Sequence, residues 1–285
     1  VTAAVGGTVR GAVEAATARL AAAGVDTAAV DAAWLLAGAL DVGRAALATM
    51  RDRGLDGAAA ARYEAMVSRR ARREPLQQIL GWEEFYGLRV AVTPDVLVPR
   101  PETEILVEWA LALLPPRPAL AIDVGTGSGC IACALAAGSP TRVLAIDASP
   151  AAAAVARRNV RALGLDGRVT LIVADLLSGL DRVAADLIVS NPPYLSRAML
   201  RDVAPEISEY EPALALDGGD DGLRVIRRLV NAAPAHLSVG GWLVLETAGP
   251  GQATEVGRLM CAAGLREVST RRDLTGTERF VAGRR

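Results

Sequence analysis

No lysine occurs anywhere in the 285-residue chain, and histidine occurs once, at His236. Schiff-base chemistry and the lysine of a phosphate-binding P-loop are thereby excluded, and most histidine-based triads are left to one residue. Cysteine is scarce as well. Cys130, Cys133 and Cys261 make an odd number without the spacing of a disulfide framework. Cys130 and Cys133 form a C-x-x-C, but they fall one turn into an expected helix, where small packing residues are the simpler account. With only His236 to complete a cluster, no metal site is expected. Aromatic residues are 4% of the chain and the net charge is -1. Both argue against binding nucleic acid through stacking or bulk positive charge. The densest basic run, Arg69-Arg70 with Arg72-Arg73, reads equally well as a solvated helix end. No apolar run approaches the roughly 18 residues of a membrane span. The start Val1-Thr2-Ala3 has no basic leader pattern. The expectation is a soluble cytoplasmic protein with no membrane partner.

What is present is a chain 52% hydrophobic, enough for a substantial core. Residues 1–80 read as helices, with Leu20, Val30, Trp34, Leu35 and Leu40 at roughly helical spacing, Trp34 as core, and no strand pattern. At Gly81 the character changes. Glu84 to Val92 alternates, Thr93-Pro94-Asp95 turns, and Val96-Leu97-Val98 follows, which predicts a hairpin linker over residues 81–100. Pro101 suits a first helical turn, with Glu102 and Glu104 at its positive end, and that helix runs to Pro115-Pro116. Residues 101–285 then read as one domain in which strands and helices alternate. The candidate strands are 120–124, 143–147, 169–173, 187–190 and 242–246, and the pattern implies a parallel sheet covered on both faces. Segments 266–272 and 278–282 are close enough in sequence to be antiparallel. The fold class is therefore α/β, a Rossmann-like sheet with an antiparallel C-terminal hairpin strand, preceded by a small helical domain.

Three features on that sheet carry chemistry. Asn191-Pro192-Pro193-Tyr194 follows the apolar run 185–190, and two prolines force the backbone out of the sheet at a strand's carboxyl end. There an amide side chain, prolyl carbonyls and an aromatic face suit a planar amide or amine, although an ordinary strand exit with a buried tyrosine would look the same. Upstream, Asp123-Val124-Gly125-Thr126-Gly127-Ser128-Gly129 places glycines at every second position before a helix, so the backbone approaches a ligand closely. Asp147 ends the next strand, where it can accept from both hydroxyls of a ribose. Asp175 follows the third strand and either accepts from the exocyclic amine of adenine or caps the next turn. Leu176 beside it would flank the base.

These residues resemble the class I methyltransferases that use S-adenosyl-L-methionine, and more narrowly the release-factor glutamine methyltransferases (HemK/PrmC family). The narrower resemblance rests on Arg73-Glu74-Pro75-Leu76, Ile79-Leu80-Gly81, Val96 to Glu104, Asp123 to Ile131, Asn191 to Tyr194, Glu211-Pro212-Ala213-Leu214, Asp217-Gly218-Gly219, and Arg272-Asp273-Leu274 to Glu278-Arg279. It implies that Gly125, Thr126, Gly127, Ser128, Gly129, Asp147, Asp175, Leu176 and Asn191 hold the cosubstrate. It implies further that Asn191, Pro192, Pro193 and Tyr194 bind the substrate glutamine of a GGQ motif, with Asn191, Pro192 and Tyr194 as the catalytic set. S-adenosyl-L-homocysteine would be the product, release factors the protein substrate, and the helical domain part of their recognition. A monomer is expected. The chain departs from the family's habit in one place: Glu246 is followed by Thr247-Ala248 before Gly249. The rival readings are a methyltransferase of a nucleobase amine in DNA or ribosomal RNA, or of a ribosomal-protein glutamine. A dinucleotide oxidoreductase or a binding module on the same fold are the others.

Overall fold

A computed structural model describes residues 7–181 and 183–285. Helix starts are set by side chains that accept amide hydrogens no preceding turn can reach. Thr8 Oγ1 accepts from Gly11 N (3.2 Å) at α1 (Val9–Ala22). After α2 (Ala28–Leu40), Asp56 Oδ1 accepts from Ala59 N (2.7 Å) at α3 (Gly57–Ala71). A short α4 (Leu76–Leu80) ends at Gly81, left-handed at φ 81°. The chain divides into two compact units, and the first comprises the N-terminal residues through Gly81 together with Ala204–Tyr210. Its core is Leu20, Leu35, Leu36, Tyr63 and Val67. Trp34 is only half-buried and lies under the Arg44 guanidinium, 5.3 Å from the ring centroid, rather than in that core.

The arginine run is structural as much as solvated. Arg70 is buried and pairs with Asp31 (2.7 Å) across α2 and α3. Arg70 and Arg73 both hold Glu206 (2.9 and 2.6 Å), and Tyr210 OH donates to Arg72 O (2.6 Å). A segment from far along the chain thus completes a helical unit whose own sequence ends at Gly81. The sequence reading assigns that segment to the second domain.

The second unit comprises Trp82–Val203 and Glu211–Arg285. It opens with a hairpin of β1 (Trp82–Phe85) and β2 (Leu88–Ala91). The sequence places strands at 84–92 and 96–98 about a turn at 93–95; the turn instead lies at Tyr86-Gly87. Both residues are left-handed (φ 50° and 73°), the two-residue geometry that matches the twist of paired strands. Val96 and Val98 are buried against Val92, Ala152 and Val155 without joining a strand. The next helix, α5 (Pro101–Leu113), begins at its proline with Glu102 and Glu104 in the first turn.

The main sheet contains β3 (Leu120–Val124), β4 (Arg142–Asp147), β5 (Val169–Val173), β6 (Ala185–Ser190), β7 (Leu237–Glu246), β8 (Arg266–Arg272) and β9 (Glu278–Arg284). Their order is β5-β4-β3-β6-β7-β9-β8, parallel from β5 to β7, with β9 antiparallel to both its neighbours. Alternate residues serve opposite faces, as a pleat requires. Ala121, Val143, Leu187 and Val189 meet α5 and α6 (Cys130–Gly138), while Ile122, Val124, Ile146 and Ile188 meet the helices Arg224–His236 and Pro250–Ala262. Cys130 and Cys133 lie within α6, and burial pushes both thiols up to about 12. Among the described residues no helix is long and apolar enough to cross a membrane.

From β3 the chain steps outward through β4 and β5, with α7 (Pro150–Ala162) between them, and then returns to the far side of β3 for β6. Crossovers leaving adjacent strands in opposite directions open a crevice at their carboxyl ends. That crevice lies between β3 and β6, and the loops leaving these two strands begin at Gly125 and Asn191.

Candidate active site

The glycine loop is held from below. Gly125 N and Thr126 N both donate to Ile146 O (2.8 and 2.9 Å), which folds the loop over β4. Asp123 Oδ2 accepts from Thr126 Oγ1 (2.6 Å) and from Ala132 N (3.1 Å), so one carboxylate joins the loop to the first turn of α6. Asp123 is fully buried, and that burial pushes its pKa up to about 7 against the pull of both bonds. At Gly129 (φ 81°) a Cβ would stand 3.0 Å from Ala156 Cβ, so the last loop glycine serves the approach of α7. Asn159 fastens the loop to the hairpin. Its Nδ2 donates to Ser128 O (2.8 Å) and Ala91 O (3.0 Å), and its Oδ1 accepts from Ala91 N (2.7 Å).

The two acids of the crevice are arranged differently. Asp147 accepts from Gly127 N through Oδ2 (2.8 Å) and from Ser149 N through Oδ1 (2.9 Å). A carboxylate offers about four acceptor positions, so each oxygen keeps one. Asp175 does not cap the next turn; its Oδ2 pairs with Arg228 Nη2 (2.6 Å) from the helix Arg224–His236. Leu176 sits beside it at φ 54°, a left-handed conformation uncommon for a branched residue and concentrated at ligand sites.

Leaving β6, the N-P-P-Y loop enters a buried chain of hydrogen bonds. Asn191 Nδ2 donates to Thr103 Oγ1 (3.1 Å), Thr103 Oγ1 donates to Glu246 Oε2 (2.8 Å), and Tyr194 OH donates to Glu246 Oε1 (3.2 Å). Thr103 and Glu246 are 2% and 1% exposed, so the chain is shielded from competing water. Burial pushes the Glu246 carboxyl up to about 7, opposed by Thr103, Arg279 and Tyr194, and it raises the Tyr194 hydroxyl as well.

The loop's far end is tied by backbone pairs, Leu195 N to Leu216 O (3.1 Å) and Gly218 N to Leu195 O (2.9 Å). Gln252 closes the arrangement. Its Nε2 donates to Tyr194 O (2.9 Å) and Gly222 O (3.3 Å), and its Oε1 accepts from Ala248 N (2.9 Å). The departure after Glu246 has a definite form: Thr247 is buried, and its N and Oγ1 both donate to Arg279 O (2.8 and 2.9 Å).

The raised Glu246 pKa makes a stability prediction. An ordinary glutamate titrates near 4.5, so between that pH and about 7 the folded chain holds a proton that the unfolded chain has released. The contribution is therefore present at low pH and lost as pH rises through about 7. Glu246→Gln removes this dependence. Its unfolding free energy should fall less than the parent's between about pH 5 and 7.5, by at most roughly 3 kcal/mol. Urea titrations at both pH values measure it; parallel declines would show that Glu246 is ionised throughout.

The loops enclose a cavity of about 490 Å³. Gly125, Thr126, Gly127, Ser128, Asp147, Asp175, Leu176, Asn191 and Pro193 line it; Gly129, Pro192 and Tyr194 do not. The sequence reading has Tyr194 packing a flat amide, whereas its hydroxyl turns inward to Glu246 and braces the loop. Sequence reasoning missed Thr103, Asn159, Gly222, Glu246 and Gln252. Arg100 also lines the cavity, and its Nη2 pairs with the buried Glu211 (2.7 Å). Thr103 and Arg100 stand inside the Pro99 to Glu104 segment, which signalled a family without signalling their roles.

Residues 11–81 match the family described as the PrmC N-terminal domain, and residues 103–209 match the methyltransferase small domain. The chain is 46% identical over 262 residues to the release factor glutamine methyltransferase of Geobacter sulfurreducens, covering 92% of this chain and 91% of the relative. It is 47% identical over 276 residues to that of Cereibacter sphaeroides, covering 96% and 97%. Among solved structures it is similar to a methyltransferase from Pyrococcus furiosus at a TM-score of 0.55. That likeness covers 76% of this chain and 98% of that one at 19% identity, and it is one of fold alone.

Proposed function

The chain belongs to the release factor glutamine methyltransferases, and from that premise we propose that its switch-point crevice is where S-adenosyl-L-methionine and the substrate glutamine meet. The enzyme methylates the side-chain amide nitrogen of a glutamine in peptide-chain release factors. What supports the assignment of the site is the convergence of glycine loop, two acids and Asn191 on one cavity. Its residues fit the cosubstrate. Asp147 keeps an acceptor position on each oxygen for the two ribose hydroxyls, and Asp175 with Leu176 suits the adenine amine and ring face. At Gly125 and Gly127 a Cβ would meet nothing within 4 Å, so these backbone positions lie open to close approach.

When bound, S-adenosyl-L-methionine supplies a methyl carbon made electrophilic by its sulfonium. The protein's share is positioning, because an amide nitrogen with a delocalised lone pair is a poor nucleophile. Asn191 Oδ1, on the cavity wall, accepts one N–H of the glutamine amide, the Pro192 carbonyl, outside the cavity's lining residues, is assigned the other, and together they hold the nitrogen toward the methyl group. Positive charge developing on that nitrogen strengthens both bonds, so the stabilisation is greatest in the transition state. No general base is required before transfer: the leaving sulfur would keep the electron pair of its bond to the methyl carbon, and the methylated nitrogen would then lose one proton to water. The N-terminal unit, which carries no residue of the cavity, serves recognition of the release factor. We expect the reaction in the cytoplasm, where release factors meet ribosomes.

Asp147→Ala tests the cosubstrate site. Loss of a charged acceptor on ribose hydroxyls should weaken S-adenosyl-L-methionine binding about ten- to a hundredfold. Calorimetric titration reads it, and an unchanged dissociation constant would move the nucleoside site elsewhere.

A further inference from the structure

The role given to Asn191 needs its carbonyl oxygen, not its NH2, to face the substrate. An asparagine side chain is nearly symmetric in shape, so something other than packing must choose between the two orientations. Its Nδ2 donates to Thr103 Oγ1 at 3.1 Å, on the wall that both residues form in the cavity. A threonine hydroxyl has one hydrogen. At Thr103 that hydrogen goes to Glu246 Oε2, 2.8 Å away, once the carboxyl has ionised above about pH 7, because an ionised carboxylate accepts and cannot donate, and its other oxygen already accepts from Tyr194. Oγ1 is left with lone pairs only. Flipped, Asn191 would set its Oδ1 against them, two acceptors in contact beside a threonine only 2% exposed.

We propose that Thr103 and Glu246 are positioning residues that fix the polarity of the Asn191 amide, so that Oδ1 is held toward the glutamine. The inference rests on the reading of Asn191 above. Glu246 is not among the residues that line the cavity, and Thr103, which is, acts here through the amide of Asn191. Direction is passed from an acceptor-only carboxylate through a hydroxyl to the amide, and the Tyr194 hydroxyl on Glu246 Oε1 directs the remaining oxygen, Oε2, to Thr103.

The test is a double-mutant cycle read by single-turnover rates on a release factor, run well above pH 7 so that Glu246 is ionised. Thr103→Val, similar in shape but without the hydroxyl, should lower the rate by about tenfold or more, and Thr103→Ser should restore it to within about threefold of the parent. In an Asn191→Ala background, Thr103→Val should change the rate by less than about twofold, because there is no amide left to orient. Glu246→Gln can present either end to Thr103. It should fall between parent and Thr103→Val and be equally silent in the Asn191→Ala background, and it reads the same cycle should the valine variant not fold. The proposal is overturned if Thr103→Val and Glu246→Gln keep the parental rate, if Thr103→Ser is as slow as Thr103→Val, or if the losses multiply with that of Asn191→Ala. A parental rate for Asn191→Ala alone would instead remove the role of Asn191, a distinct outcome.

Discussion

Asn191→Ala is expected to slow methyl transfer by roughly a hundred- to a thousandfold, the loss typical of one preorganised electrostatic contact to a charge that develops during reaction. The fold should survive, because among the described residues the side chain makes one hydrogen bond, to Thr103. Asn191→Asp keeps an acceptor toward the substrate, so it should retain more activity than the alanine variant. It should still fall short of the parent for two reasons. A negative charge near the sulfonium favours the ground state as well as the transition state. The second oxygen would also compete with Glu246 for the single hydrogen of Thr103. Single-turnover rates give the order; alanine and aspartate equally inactive would implicate the N–H donors of Asn191 instead.

The second large effect is expected at Gly222, which lies outside the N-P-P-Y loop. Its φ is 76°, and a Cβ there would stand 2.3 Å from Tyr194 O and 2.6 Å from Gln252 Nε2. Neither neighbour has room to withdraw. Gln252 is committed to Ala248 N as well, and the next residue, Leu195, is paired on both sides with Leu216 and Gly218. A methyl group at 222 therefore displaces Tyr194 and moves Asn191 with it. We expect Gly222→Ala to cost about 2–4 kcal/mol in stability and about a hundredfold in rate. Gly276 supplies the control, because it shares the backbone conformation (φ 83°) while a Cβ there meets nothing within 4 Å. Gly276→Ala should cost only about 1 kcal/mol and leave the rate near parental. Denaturant titration and single-turnover assays measure both variants, and equal effects at the two glycines would mean that backbone strain, not contact with Tyr194, decides.

Much of this arrangement is legible in the sequence because it rests on local rules. Short, nearly continuous apolar runs mark β3 to β6, and the sheet's parallel strands with an antiparallel C-terminal hairpin follow from the intervening helices. The glycine loop, Asp147 and Asn191 announce themselves by residue type and by their place after a strand. What is not legible depends on partners distant in sequence. Ala204–Tyr210 shows no helical-domain signature, yet Glu206 completes the charges of Arg70 and Arg73. Thr103 and Glu246 read as an ordinary helix residue and a strand end until a separation of 143 positions closes to 2.8 Å. The hairpin turn is not legible because alternation continues through Tyr86-Gly87, where only backbone sign marks it. The sequence marks β7 only over 242–246, whereas the strand runs from Leu237 through Gly240-Gly241.

The most direct measurement is to incubate the protein with methyl-labelled S-adenosyl-L-methionine and a mixture of release factor, ribosomes and DNA, and then to locate the label by peptide mapping. The account predicts label on the side-chain amide of one glutamine of the release factor. Label confined to nucleic acid or to a ribosomal protein would contradict it.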